Sequence, residues 1–250
     1  MNGAAVVTGA ARRIGLRIAE RLASAGYAVV LECSPCSLHS AREAADKIIG
    51  QGGRAAALAH DLSVESELSR VIAEARAIFG PLTLLVNNAS VFEDDAAASF
   101  DLELWDRHFG VNLRAPAVLS RDFARELPPG MEAAIVNIID QRVFRLTPQY
   151  FSYTLSKAAL WTATRTMAQA FAPQKIRVNA VGPGPALPNE RQGEAGFARE
   201  VEGLPLRRSI APDDIADAVL YLAGARNVTG QMIAVDAGQH LGWLTPDIVR

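Results

Sequence analysis

The chain reads as short apolar runs alternating with longer segments of helical period. Ala4 to Val7 predicts a strand. A glycine-containing turn follows, then a helix as far as Ala25, with Gly26 in the usual C-terminal position. Ala28 to Leu31 and Ala55 to Ala59 predict the next strands, separated by a helix from Leu38 to Ile49 that Gly50, Gly52 and Gly53 end. Ser63 predicts the N-cap of a helix that Gly80-Pro81 stops. Leu82 to Val86 predicts a fourth strand, Leu102 to Glu126 one long helix, and Ala133 to Ile139 a fifth strand. A second long helix from Tyr150 to Phe171 precedes the strand Ile176 to Val181. The stretch from Gly182 to Gly203 reads as irregular, Asp213 to Ala223 as a helix and Gln231 to Val235 as a last strand.

Strands apolar at both faces, each followed by a helix, predict a parallel sheet covered on both sides. Right-handed crossovers then make an α/β, Rossmann-type doubly wound sheet of about seven strands with helices on both faces. No linker or internal repeat divides the chain, so residues 1–250 read as a single domain. The irregular stretch is long enough to be a functional loop, and 186–203 is the expected substrate lid.

Half of the 250 residues are apolar and 21% are charged, which permits a substantial core. The net charge of −2 offers no basic excess to nucleic acid or an anionic membrane. Gly, Pro or charge interrupts every apolar run well before the ~18 residues of a membrane span. A glycine turn follows the first apolar run too soon for a signal peptide. The expected setting is therefore cytoplasmic and reducing, with a small-molecule substrate. Two cysteines cannot build a disulfide framework, and Cys33-Ser34-Pro35-Cys36 lacks the second pair that zinc would need. His39, His60, His108 and His240 have no ligand spacing, and no Ser/His/Asp nucleophile arrangement is evident. No metal site is expected. Glu93, Asp94 and Asp95 read as a solvated loop.

The first strand runs into Thr8-Gly9-Ala10-Ala11-Arg12-Arg13-Ile14-Gly15. Small residues there let the backbone approach a ligand, and the N–H groups of the following helix favour a pyrophosphate. Arg12 and Arg13 add positive charge. Glu32 lies near the position of the acid that usually holds the adenosine ribose, but no carboxylate sits clearly at the strand end. Arg12 can pair with a 2′-phosphate instead, so NADP(H) is favoured over NAD(H).

Further motifs follow in order: Asp61-Leu62, Asn87-Asn88-Ala89, Asn112 with Ala115-Pro116, Tyr153-x-x-x-Lys157, Arg177-Val178-Asn179 and Pro183-Gly184-Pro185. Together they resemble the short-chain dehydrogenase/reductase family over nearly the whole chain. Tyr153 and Lys157 stand four apart on one helix face. A nearby ammonium favours the phenolate, so Lys157 is expected to lower the Tyr153 pKa and fit it to pass a proton while a nicotinamide passes a hydride. The resemblance implies that Lys157 also holds the nicotinamide ribose and that Asn112 positions a water. It places Gly9, Arg12, Arg13, Ile14, Asp61, Leu62, Asn88, Ala89, Ser90, Tyr153, Lys157, Pro183 and Gly184 at the cofactor, and it implies a homotetramer.

Two departures from the usual family pattern narrow the chemistry. Arg13 stands where a glycine is usual, and Asp140 stands where a serine is usual, thirteen residues before Tyr153. A serine can donate to a ketone oxygen, whereas an ionised aspartate can only accept. Both departures, with Ser90-Val91-Phe92, are similar to the pteridine reductase branch, including the dihydromonapterin reductase type. That resemblance implies a substrate site of Arg13, Ser90, Phe92, Asp140 and Tyr153, with Phe92 as a stacking ring. Asp140, Tyr153, Lys157 and Asn112 are the expected catalytic group. Two plainer readings stay open: Phe92 as core packing, and Asp140 as a turn cap or a partner of Arg142 or Arg145. Other functions open at this point are a carbonyl reductase or alcohol dehydrogenase of the same family, and a nucleotide-binding sensor without catalysis.

Overall fold

A strand that is apolar on both sides has no face to offer water, so it must lie inside a covered sheet. In the computed structural model, which describes residues 3–188 and 193–242, this is what the chain builds. The strands are β1 (Ala4–Val7), β2 (Ala28–Cys33), β3 (Arg54–Ala59), β4 (Leu82–Asn87), β5 (Ala133–Ile138), β6 (Ile176–Pro183) and β7 (Met232–Val235). The helices are α1 (Arg13–Ser24), α2 (Leu38–Gly50), α3 (Glu65–Leu68), α4 (Val71–Phe79), α5 (Leu102–Phe109), α6 (Ala115–Glu126), α7 (Phe151–Phe171), α8 (Gly193–Glu202) and α9 (Pro212–Gly224). All strand pairs are parallel, in the order β3-β2-β1-β4-β5-β6-β7.

The period-two pleat distributes the apolar side chains to two cores. Ala5 and Val7 of β1 join Val29, Leu31, Leu84 and Val86 beneath α1, α2 and α9, where Ile18, Leu22, Ile48 and Val219 meet them. Ala4 and Val6 turn the other way, with Val30, Leu85, Ile135 and Val178, against Ile72 of α4 and Leu119 and Phe123 of α6. Because every strand runs the same way, all their C-terminal ends open on one edge. The order reverses between β1 and β4, and that switch point forms the crevice where such sheets bind ligands.

Three local expectations need correction. The helix expected from Leu102 to Glu126 is interrupted by a π turn, Gly110–Arg114, in which Ala115 donates its N–H to Gly110 five residues back. Pro116 has no N–H to give to Asn112, so the regular α ladder cannot run through this point. Ser63 is not an N-cap: Asp61 Oδ1 accepts its N–H at 2.9 Å and its hydroxyl at 2.6 Å, forming a tight turn, and α3 starts only at Glu65. The stretch from Gly182 to Gly203 is not wholly irregular. β6 continues through Pro183 and residues 193–202 form α8, while residues 189–192 of the expected lid lie outside the described residues. No helix among the described residues is long and apolar enough to cross a membrane.

Candidate active site

The turn after β1 is built by close backbone approach. Thr8 Oγ1 accepts the N–H groups of Asn88 and Ala89 at 2.9 and 3.0 Å, which ties the β1 turn to the β4 turn. Asn88 Nδ2 donates back to the carbonyls of Thr8 and Gly9. A Cβ on Gly9 would stand 2.9 Å from Ala89 Cα, and one on Gly15 would stand 2.3 Å from the Gly9 carbonyl oxygen. Gly184 is equally confined, with its added Cβ 2.7 Å from Asp236 Cα. Arg13 occupies the left-handed region, with φ 53, where a glycine is the comfortable choice. Its Nη1 donates to the Pro188 carbonyl at 3.4 Å, across the crevice.

Gly9, Arg12, Asp61, Leu62 and Ala89 line a cleft of about 910 Å³. Asp140, Tyr153, Lys157, Pro183 and Gly184 line an adjoining space of about 300 Å³. Arg13, Ile14, Asn88, Ser90 and Phe92 border both. The residues named from sequence thus converge on one crevice, except Asn112, which is buried behind it.

At the chemical centre, Tyr153 donates its hydroxyl to Asp140 Oδ2 at 2.9 Å. Asp140 Oδ1 accepts the Arg142 N–H at 2.8 Å and so caps the short 3₁₀ turn Gln141–Val143. The capping reading and the pocket reading of Asp140 are therefore both true of its geometry. Lys157 Nζ donates to the Ile138 carbonyl at 2.9 Å and lies 5.7 Å from the Tyr153 ring centre. Burial pushes the Lys157 ammonium down to about 8, against the pull of Asp140. Burial, then the Asp140 charge, pushes the Tyr153 phenol well above its usual value. This reverses the expected lowering, because the phenol is buried and its hydroxyl meets Asp140 and not Lys157. Burial likewise raises the Asp140 carboxyl, opposed by the Arg142 N–H and charge, by Tyr153 and by Lys157.

Phe92 is 42% exposed, so it is not core packing. It stacks on Tyr150 at 4.4 Å and 12°, and its ring meets Tyr153 edge-on at 4.7 Å. The Arg142 guanidinium covers Tyr150 at 4.9 Å. Asn112 uses all its side-chain hydrogen-bonding capacity. Oδ1 accepts from Val91 N–H and Ser90 Oγ, and Nδ2 donates to the Val91 carbonyl and Ser156 Oγ. Its side chain clamps the Ser90-Val91 backbone, so any water it positions must be held by its main-chain carbonyl. Pro116 deprives that carbonyl of its α-helical donor.

The family model described as "Enoyl-(Acyl carrier protein) reductase" matches residues 9–240. A short-chain type dehydrogenase/reductase from Picea abies is 34% identical over 248 residues, covering 94% of this chain and 91% of that protein. The chain belongs to the short-chain dehydrogenase/reductase family. It is an oxidoreductase of that type. Among solved structures, FolM alternative dihydrofolate reductase 1 from Brucella canis, complexed with NADP, is 49% identical with a TM-score of 0.95, covering 99% of this chain and 98% of that one. A blue fluorescent protein from a metagenomic library, in complex with NADPH, is 32% identical with a TM-score of 0.88, covering 95% and 97%.

Glu32 bears out the reading that no carboxylate sits at the strand end. It does not sit at an open strand end, because β2 continues through Cys33. The residue is 1% exposed. Oε2 accepts the Gly9 N–H at 3.3 Å, and Oε1 is buried without a partner among the described residues. Burial pushes its carboxyl from 4.5 up to about 8, with Gly9 opposing and Asp61 adding to the rise. The folded state thus binds the proton more tightly than the unfolded chain, and stability must fall with rising pH between those two values. Glu32→Gln should remove that slope, so its melting temperature should overtake wild type progressively from pH 5 to pH 9. Parallel melting curves across that range would refute the assignment.

Another group was invisible in sequence. His108, Ser152 and Asp95 are hydrogen-bonded in a row beside the Tyr153 ring, drawn from segments 44 and 57 positions apart. The one local hint was that His108 precedes Asn112 by a single helical turn. The two thiols of the C-x-x-C are unbridged: Cys33 faces Ala11 and Ala41 inside, and Cys36 is exposed.

Proposed function

We propose that the protein is an NADP(H)-dependent reductase of a pterin-like heterocycle, of the dihydropterin or dihydromonapterin type. The observation that carries the reading is the Tyr153–Asp140 hydrogen bond at 2.9 Å, beside the exposed ring of Phe92. The 49% identical Brucella structure, an alternative dihydrofolate reductase complexed with NADP, supports it.

The confined glycines leave a cradle that fits a dinucleotide. Gly9 to Ile14 would face the pyrophosphate, Arg12 the 2′-phosphate, and Asp61 and Leu62 the adenosine end. Asn88, Ala89, Ser90, Pro183 and Gly184 would flank the nicotinamide half, with Lys157 at its ribose. When bound, the reduced nicotinamide supplies the hydride.

The substrate would lie on Phe92, with Arg13 and Ser90 at its edges. Its ring N–H groups suit the Asp140 carboxyl. As carbon receives the hydride, Tyr153 gives its proton to the adjacent ring nitrogen and takes one from protonated Asp140. One C=N bond becomes CH–NH, and Asp140 ends as a carboxylate facing the Arg142 N–H and the charges of Arg142 and Lys157. A simple ketone offers no ring N–H to this carboxyl.

The test is NADPH oxidation with dihydropterins, quinonoid and oxidised pterins, and a panel of simple ketones and 3-oxoacyl thioesters. Turnover of a pterin substrate with kcat/KM at least ~10² above any ketone is expected. Turnover of ketones alone would overturn the reading.

A further inference from the structure

α7 carries both Tyr153 and Lys157, yet its own N-terminus has no capping side chain. Tyr150 fills the cap position in the left-handed region with φ 56. The helix is capped from elsewhere. Asp95 accepts the Ser152 N–H at 3.0 and 3.2 Å and the Ser152 hydroxyl at 2.5 Å, while its carbonyl accepts the Phe151 N–H at 3.2 Å. A carboxylate suits a helix N-terminus.

His108 completes the link. It is fully buried, and its Nε2 accepts the Glu93 backbone N–H at 3.3 Å. A backbone donor needs a bare nitrogen, so the proton must be on Nδ1, which lies 2.6 Å from Ser152 Oγ. The direction of every proton is then fixed: Glu93 N–H to Nε2, Nδ1–H to Ser152, Ser152 O–H to Asp95. One end of this chain holds the loop just after Phe92, and the other holds the residue just before Tyr153.

We infer that His108 is a positioning residue: through Ser152 and Asp95 it locks the Phe92–Asp95 loop to the first turn of α7, and so sets the stacking ring at a fixed place relative to the Tyr153 hydroxyl. The inference rests on the proposed stacking role of Phe92. Protonation of His108 would place an Nε2–H against the Glu93 N–H and open the link. Burial holds the ring neutral and lowers its pKa, against the pull of Asp95 and Glu93 from the loop. Arg107 on α5 and Lys157 on α7 reinforce the lowering. The link therefore survives at neutral pH and is lost in acid.

The experiment has two parts. In the wild-type protein, ¹⁵N shifts of the His108 ring at pH 7 should show Nδ1 protonated and Nε2 bare; the reverse tautomer or a charged ring would overturn the inference. This measurement needs no substrate and no variant. Kinetics on whichever substrate the wild type reduces would then compare His108→Leu, Ser152→Ala, Phe92→Ala and the doubles with Phe92→Ala. Each single variant should raise KM by about tenfold, because an ångström of misplacement is enough. NADPH affinity should stay within about twofold of wild type. In the Phe92→Ala background, His108→Leu should add little further to KM, because the ring it positions is gone. Fully additive losses, or no change in KM, would overturn the inference. A wild-type protein that reduces ketones but no pterin would overturn the substrate reading while leaving the tautomer result intact.

Discussion

Asp140→Ser should reduce pterin turnover by about 10²–10³ while raising the turnover of simple ketones above the wild-type baseline. Serine is the informative replacement because it preserves the structural half of what Asp140 does. Its hydroxyl can still accept the Arg142 N–H that opens the 3₁₀ turn Gln141–Val143. What it cannot do is hold and release the carboxyl proton that Tyr153 needs in the proposed relay. It can donate to a ketone oxygen at every pH, whereas Asp140 can do so only while protonated. The pH profile separates the roles further. Burial raises the Asp140 carboxyl, so the active protonated form persists to higher pH than for an open aspartate and then declines. Wild-type kcat/KM should therefore fall as pH rises through that titration, and Asp140→Ser should lose this limb. An equal loss on pterins and ketones, with the limb retained, would remove Asp140 from the chemistry.

The order of strands and helices was legible because the strands are apolar runs, and β1, β2 and β5 are buried at every position. Ala4 to Val7 has no polar position to misread, and alternate residues simply go to opposite cores. Tyr153 and Lys157 were legible because their relation is local, one turn of a helix. Asp140 was legible as an oddity thirteen residues upstream, but its effect was not. The rise in the Tyr153 pKa comes first from burial and then from a 2.9 Å contact with Asp140, neither of which any spacing encodes. The broken helix at Gly110–Arg114 could be suspected from Pro116, yet the clamp from Asn112 to Val91 could not. α8 hid behind Gly193 and Gly196, which weaken helical propensity enough to pass for a loop. Glu32 shows the same limit. Its place near the usual ribose acid was legible, but its burial under the Gly9 turn, which pushes its carboxyl up to about 8, was not. A protonated Glu32 does not repel a phosphate in the cleft it lines.

Tyr153→Phe should have the largest effect on chemistry with the least effect on form. The phenyl ring keeps its edge-on contact with Phe92 at 4.7 Å and its place 5.7 Å from Lys157 Nζ. Only the hydroxyl is lost, and with it the proposed bridge between Asp140 and a substrate nitrogen. A drop in kcat of about 10³, at the middle of the range for general acid catalysis, is expected, with NADPH affinity unchanged within about twofold. A second consequence checks the geometry independently of turnover. The Tyr153 hydrogen bond is one of the interactions that lower the Asp140 pKa, so removing it should drive the carboxyl higher still. Infrared bands of the protonated carboxyl should then persist to higher pH in Tyr153→Phe than in wild type. Lys157→Met should behave differently: it removes the donor to the Ile138 carbonyl and the expected ribose contact, so NADPH affinity should fall together with kcat. If Tyr153→Phe weakened NADPH as much as Lys157→Met did, the two residues would share a single binding role. The division into proton donor and cofactor anchor would then be wrong.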